Sequence, residues 1–143
     1  MNENRVFVPK SWGYEDWIVN SPLYCGKLLF IKKEKHTSLH YHKLKTETLY
    51  LHSGRLCVTY YDNPQFDRDF LFWDQYLFPW GENPPRQYFG LIQIIMEPGD
   101  SFHVPQGRRH TLFGLLDCHL FEFSTEHFDE DSYRVLKGVT TSV

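Results

Sequence analysis

The sequence predicts an all-β domain, an antiparallel sandwich or barrel, and three observations predict it. Short apolar runs recur at close spacing with Gly, Pro, Asp and Ser between them. No long stretch keeps a 3.6-residue apolar period. Aromatic residues make up 17% of the chain, and large ring side chains favour strands.

In chain order, Trp12 reads as the packing anchor of an N-terminal strand. Leu28-Leu29-Phe30-Ile31 is the first apolar run. Thr48-Leu49-Tyr50-Leu51 leads to a turn at Ser53-Gly54, and Leu56-Cys57-Val58-Thr59-Tyr60-Tyr61 returns from it. Leu91-Ile92-Gln93-Ile94-Ile95-Met96 stops at Glu97-Pro98-Gly99-Asp100; proline presets one turn dihedral and glycine accepts a positive one. Ser101-Phe102-His103-Val104 enters Pro105, and Cys118-His119-Leu120-Phe121-Glu122-Phe123 is the last strong run. Residues 62–90 stand apart. Phe66, Phe70, Phe72, Trp73, Tyr76, Phe78, Trp80, Tyr88 and Phe89 crowd there with four prolines, too aromatic for a disordered linker. The segment is expected to be an ordered insertion packed on the barrel, across its mouth, with a helical turn at Trp73-Asp74-Gln75-Tyr76.

At 143 residues, the chain fits a single domain over 1–143. The formal charge of −3 comes from interspersed acids and bases, and no basic block suggests nucleic acid. Met1-Asn2-Glu3-Asn4-Arg5 is polar and carries no apolar signal core. The apolar run over 88–96 is far too short to span a membrane. Cys25, Cys57 and Cys118 are isolated, with no C-x-x-C pair; that usage fits buried strand thiols in a reducing cytoplasm.

The chemistry concentrates in His40, His42, Glu47 and His110. In a strand, residues i and i+2 share a face roughly 7 Å apart, so His40-Tyr41-His42 can aim two imidazoles into one cavity. A carboxylate and a third histidine would complete an N3O set suited to one divalent transition metal, Zn, Mn, Fe or Ni.

The stretch Glu34, His40, His42, Glu47, Gly54 resembles cupin motif 1, G-x5-H-x-H-x3/4-E-x6-G, with Glu34 in place of the opening glycine. Gly99, Pro105, Gly107, His110 resembles cupin motif 2, with Gly114 where asparagine is usual. The resemblance implies a jelly-roll barrel with metal ligands His40, His42, Glu47 and His110. Lys10-Ser11-Trp12-Gly13-Tyr14-Glu15 is similar to the K-P-W-G-x-E opening of sugar-phosphate isomerase cupins. Phe121-Glu122-Phe123-Ser124-Thr125, with Glu130-Asp131-Ser132-Tyr133-Arg134, looks like the closing segment of D-lyxose isomerase and mannose-6-phosphate isomerase-like cupins.

These resemblances imply a metal-dependent sugar or sugar-phosphate isomerase or epimerase. Glu122, grouped by period 2 with Leu120 and Ser124, is the candidate base. Lys27, on the face of Leu29 and Ile31, is the candidate for stabilising the developing oxyanion. Arg109 and Arg134 are candidates for holding a sugar or phosphate, and His103 for a substrate contact. Two alternatives stay open: a non-catalytic cupin that binds a sugar or nucleotide-sugar, and an Fe(II)-dependent dioxygenase. A homodimer is expected, because cupins commonly pair and aromatic edge strands suit pairing.

Overall fold

A computed structural model describes residues 5–71, 86–88 and 90–135. Among these residues twelve strands, β1 Val6–Lys10, β2 Gly13–Asn20, β3 Cys25–Ile31, β4 His40–Tyr41, β5 Glu47–Ser53, β6 Leu56–Tyr61, β7 Arg86–Tyr88, β8 Leu91–Met96, β9 Ser101–Val104, β10 Arg109–Gly114, β11 Cys118–Ser124 and β12 Tyr133–Arg134, form two six-stranded sheets. The first sheet has the order β1-β2-β3-β11-β5-β9 and the second β12-β4-β10-β6-β8-β7, with antiparallel pairing throughout. Neighbours distant in sequence, such as β11 between β3 and β5, give the crossed connections of a jelly roll. Among the described residues the helical pieces are short 3-10 turns, Pro64–Leu71 and Asp129–Asp131.

The runs expected at 56–61, 91–96 and 101–104 are strands with those bounds. The N-terminal hairpin of β1 and β2 was harder to read. Pro9 interrupts the first strand and Glu15-Asp16 the second. Proline is tolerated because β1 is an edge strand bonded only to β2.

Alternation along the central strands of the first sheet positions the site. The inward residues of β3 are Cys25, Lys27, Leu29 and Ile31. Those of β5 are Glu47, Leu49 and Leu51, and those of β11 are Cys118, Leu120 and Glu122. Each strand is therefore apolar at one end and charged at the other. The apolar ends join Trp12, Leu56, Val58, Met96, Phe102, Val104 and Leu112 in the main core. The charged ends gather at the opposite end of the barrel.

Two consecutive arginines anchor the segment that follows β6. Arg108 forks onto Asp62 at 2.9 and 3.0 Å, with its guanidinium 4.6 Å from the Tyr60 ring centre. Arg109 forks onto Asp67 at 3.0 Å and lies 3.7 Å from the centre of Tyr41. Planar guanidinium suits this combination of bidentate pairing and stacking. The helical turn expected at residues 73–76, and most of the aromatic residues of the 62–90 insertion, lie outside the described residues. Among those described, no helix is long and apolar enough to cross a membrane.

Candidate functional site

The charged end of the barrel encloses a cavity of about 620 Å³. His40 on β4 and His110 on β10 are cross-strand partners in the second sheet, and His42 follows β4 directly. One ring nitrogen from each of the three lies within 4.8 Å of the others. Glu47 enters from β5 of the facing sheet, with Oε1 3.5 Å from His110 Nε2.

Main-chain carbonyls fix the histidine tautomers. His40 Nδ1 lies 2.9 Å from Ser38 O, His42 Nδ1 3.1 Å from Asp131 O, and His110 Nδ1 2.9 Å from Arg108 O. A carbonyl oxygen only accepts, so Nδ1 carries the proton in each ring and Nε2 keeps its lone pair. Burial, reinforced by the other two imidazoles, pushes the His40 pKa well below the ordinary value. Burial and the Lys45 ammonium bring His42 down to about 4. Both rings are thus neutral near pH 7, the form that ligates metals.

The facing wall is a buried ionic cluster. Lys45 Nζ lies 3.0 Å from Glu47 Oε2 and 3.0 Å from Glu122 Oε2. Lys27 Nζ lies 3.6 Å from Glu15 Oε1 and 4.0 Å from Glu122 Oε2, and sits 4.4 Å from the Trp17 ring centre. Pairing explains the adjacency: Trp17, Lys27 and Glu122 stand opposite one another across β2, β3 and β11. Burial would raise the Glu47 pKa, yet Lys45 and His110 outweigh it and hold the group well below the carboxylate range. Glu122 goes the other way, because burial and the negative charge of Glu47 prevail over the two lysines. Two carboxylates on one ammonium are driven apart in acidity. Burial also lowers His127 to about 4, with Lys27 and Lys45 adding to the effect.

The residues present fit a divalent metal. His40, His42 and His110 bring one ring nitrogen each to within 4.8 Å of the others, with Glu47 Oε1 beside them, a donor arrangement suited to a metal ion. Glu47 Oε2 is buried without an aligned hydrogen bond, because Lys45 approaches it outside hydrogen-bond geometry. Its Oε1 faces the imidazoles. Glu47 would complete the set with the three histidines, leaving cavity space for substrate.

Among the other sequence candidates, Lys27 and Glu122 line the cavity and are buried, and Arg134 lines its mouth and is exposed. Arg109 and His103 do not line it. Alternation turns Arg109 to the opposite face from His110, onto Asp67 and Tyr41. His103 faces outward from β9, 3.5 Å from Thr48 Oγ1. Sequence reading missed Lys45, His127, Glu15 and Trp17, all cavity-lining. A period-2 count back from Glu47 reaches Lys45, which was the one available signal.

No family model matches the sequence, and no curated protein matches it. Solved structures do. CapF, a capsular polysaccharide assembling protein from Staphylococcus aureus, superposes with TM-score 0.66 at 14% identity, over 93% of this chain and 33% of that one. Oxalate decarboxylase from Lactobacillus farciminis gives 0.65 at 15%, over 92% of this chain and 34% of that one. KdgF from Halomonas sp. gives 0.61 at 12%, over 91% of this chain and 94% of that one. The chain has the cupin fold. It spans about a third of the length of the CapF and decarboxylase chains. At these identities the likeness concerns the fold. Within that fold, His40, His42 and His110 form a group that could hold a metal ion.

Proposed function

We propose that this cupin is a metal-dependent sugar or sugar-phosphate isomerase or epimerase. The observation that carries the reading is the arrangement of one cavity wall against the other. A buried carboxylate with a raised pKa, Glu122, and two buried ammonium groups face a three-histidine, one-glutamate donor set. A divalent ion held by His40, His42, Glu47 and His110 would polarise the carbonyl and hydroxyl oxygens of a bound sugar. Mn(II) centres are named for a Bacillus subtilis oxalate decarboxylase of the same fold, and Zn, Fe and Ni suit the same donors.

Glu122 then takes the proton from the carbon beside the carbonyl. The C–H electron pair becomes the C=C bond of an enediolate, and the carbonyl π pair moves onto oxygen. Lys27 and Lys45 are the positive charges that face the developing oxyanion. The same carboxyl returns the proton to the neighbouring carbon while the hydroxyl proton moves from the second oxygen to the first, which interconverts aldose and ketose; epimerisation would need a second acid on the opposite face of the enediolate. Trp12 and Trp17 supply apolar walls, and Arg134 a cation at the mouth. Among the described residues the lining carries four basic groups, Lys10, Lys27, Lys45 and Arg134, and four acidic groups, Glu15, Glu47, Glu122 and Asp129. Adding a dication would leave the cavity positive, which favours an anionic sugar such as a phosphate.

A second reading has its own support. Glu122 Oε2 already accepts hydrogen bonds from Lys45 at 3.0 Å and Ser124 Oγ at 3.1 Å. A carboxylate so occupied suits a non-catalytic cupin that holds a sugar or nucleotide-sugar.

Metal-loaded protein incubated with aldoses, ketoses and their phosphates in D2O separates the two. Isomerase action exchanges the C2 proton, read by NMR, and Glu122→Gln lowers the rate about 10²-fold or more. Calorimetric binding without exchange, indifferent to Glu122→Gln, establishes the binding reading instead. Oxygen uptake by the Fe(II)-loaded protein would replace both with dioxygenase chemistry. We also propose a homodimer through the outward face of the first sheet, where Phe7, Tyr14 and Phe30 form a continuous row of ring contacts at 4.9 and 5.3 Å; a monomeric mass by light scattering rejects it.

A further inference from the structure

Asp131 lies outside the cavity lining, in the last 3-10 turn, and is 3% exposed. Its carboxylate receives four hydrogen bonds from three successive backbone amides. Oδ1 accepts from Lys43 N at 2.9 Å and Leu44 N at 3.0 Å; Oδ2 accepts from Lys45 N at 3.0 Å and Leu44 N at 3.2 Å. Its carbonyl oxygen accepts from His42 Nδ1 at 3.1 Å. Beyond it, Tyr133 and Arg134 pair with Tyr41 and His40, and Val135 N donates to Leu39 O at 2.9 Å. Residues 131–135 thus run alongside 39–45, with Asp131 binding both ends of the short link from His42 to Lys45.

We infer that Asp131 is a positioning residue for the metal centre, acting through both its main chain and its side chain. This rests on the metal-binding reading above. The carbonyl sets the His42 tautomer and ring direction, so that Nε2 points to the other imidazoles. The carboxylate closes the amides of 43–45 into a nest, a concavity that needs an anion at its centre. Closing the nest fixes the rise of the chain into β5, and with it the place of Lys45 between Glu47 and Glu122. Without the carboxylate, these amides lose their partner and the link relaxes. Partners that orient metal-ligating histidines typically change metal affinity 10–100-fold when removed.

Asp131→Asn tests this, because at nearly unchanged volume it removes the charge and turns an NH2 donor toward backbone amides that need an acceptor at both oxygens. Co(II) titration by calorimetry and visible absorption gives affinity and coordination geometry. Amide hydrogen exchange of residues 43–45, measured without metal, gives the state of the nest. Asp131→Asn should weaken Co(II) binding about 10–100-fold, alter the absorption bands and remove the 43–45 protection. Asn20→Ala is the control: it cuts the two bonds holding His127 at 2.8 and 3.0 Å and so loosens the same C-terminal segment elsewhere. Its Co(II) affinity should stay within about 2-fold of wild type, well short of that loss. Unchanged affinity in Asp131→Asn overturns the inference, as does an equal loss in Asn20→Ala. Long-range 15N NMR of the wild-type apoprotein needs no variant; a His42 protonated on Nε2 would also overturn it. A wild-type chain that takes up no Co(II) sinks the metal reading and this inference together, whereas unchanged affinity in Asp131→Asn sinks this one alone.

Discussion

The two walls of the cavity are held in place by different forces. His40, His42 and His110 are each tethered by a main-chain carbonyl at 2.9–3.1 Å. Glu15, Lys27, Lys45, Glu47 and Glu122 are held chiefly by one another, through ion pairs of 3.0–4.0 Å. Each imidazole has a main-chain tether of its own, two residues away for His40 and His110 and from Asp131 for His42, so each keeps its place when a neighbouring imidazole is lost. A wall held by mutual charge has no such independence. Removing one member of a buried ionic cluster leaves the others uncompensated.

The sharpest way to break the comparison is to remove one group from each wall. His110→Ala should lower metal affinity more than about 100-fold, through loss of one of three nitrogen donors. Glu122→Gln should leave one metal per chain while turnover falls about 10²-fold or more. Metal content by elemental analysis alongside isotope exchange reads both effects. If Glu122→Gln also empties the metal site, the walls act as one unit and the division fails.

Lys45→Met measures what mutual charge contributes. Glu47 and Glu122 would then share the barrel interior without their common ammonium. The apoprotein should lose about 3–5 kcal/mol of unfolding free energy, the usual consequence of breaking a buried pair. A metal on Glu47 would replace part of the lost positive charge. Added Zn(II) should therefore raise the melting temperature more in Lys45→Met than in wild type, as differential scanning calorimetry can show. An equal rise in both proteins would mean that Glu47 does not face the ion.

The same division explains what the sequence made legible. The imidazole wall follows from spacing: His40 and His42 alternate onto one face, and the Pro105, Gly107, His110 spacing matches the second motif. The strands of the main core were readable because their apolar alternation is strong. Lys45 was faintly legible at most: a period-2 count from Glu47 reaches it, but Lys43-Leu44-Lys45 looks like a solvated link between strands, and the fold is what turns its ammonium inward. Asp131 sat in the acidic stretch Asp129-Glu130-Asp131, where nothing local marks which carboxylate is buried. Arg109 misled for a related reason. Adjacency to His110 in sequence is opposition in a strand, and its partner Asp67 belongs to a segment with no sequence pattern of its own.

Acid should bring out the imidazole wall. His42 and His127 both titrate near 4 in the folded protein, against about 6.5 when unfolded. The folded state therefore binds fewer protons than the unfolded state between these values, and stability must fall as pH drops through that window. Each group contributes on the order of 3 kcal/mol, present in full above about pH 6.5 and gone below about pH 4. Glu122, with its raised pKa, works in the opposite sense and softens the fall. Urea unfolding of the apoprotein from pH 7 to pH 4 should show the decline, and His127→Gln should reduce its slope. A flat profile would mean that the histidines are not buried neutral.

The smallest effect concerns the two positions where the chain departs from the cupin motifs, far from either wall's chemistry. Glu34 stands at a motif glycine and adopts φ +66°, a left-handed conformation that side chains disfavour. Gly114 stands where asparagine is usual, and a Cβ there would lie 2.7 Å from Lys32 O. The two meet directly: Glu34 N donates to Gly114 O at 2.7 Å, and Gly114 N donates to Lys35 O at 3.0 Å. The tight turn is thus made without its glycine, with the space for it supplied from across the sheet. Glu34→Gly should relieve the left-handed strain, about 1–2 kcal/mol, and regain flexibility in the unfolded chain that returns part of it. The expected outcome is a gain of about 0.5–1 kcal/mol in urea unfolding, with metal affinity unchanged. A loss of stability would mean that the Glu34 side chain holds the turn, and that φ +66° is the conformation it selects.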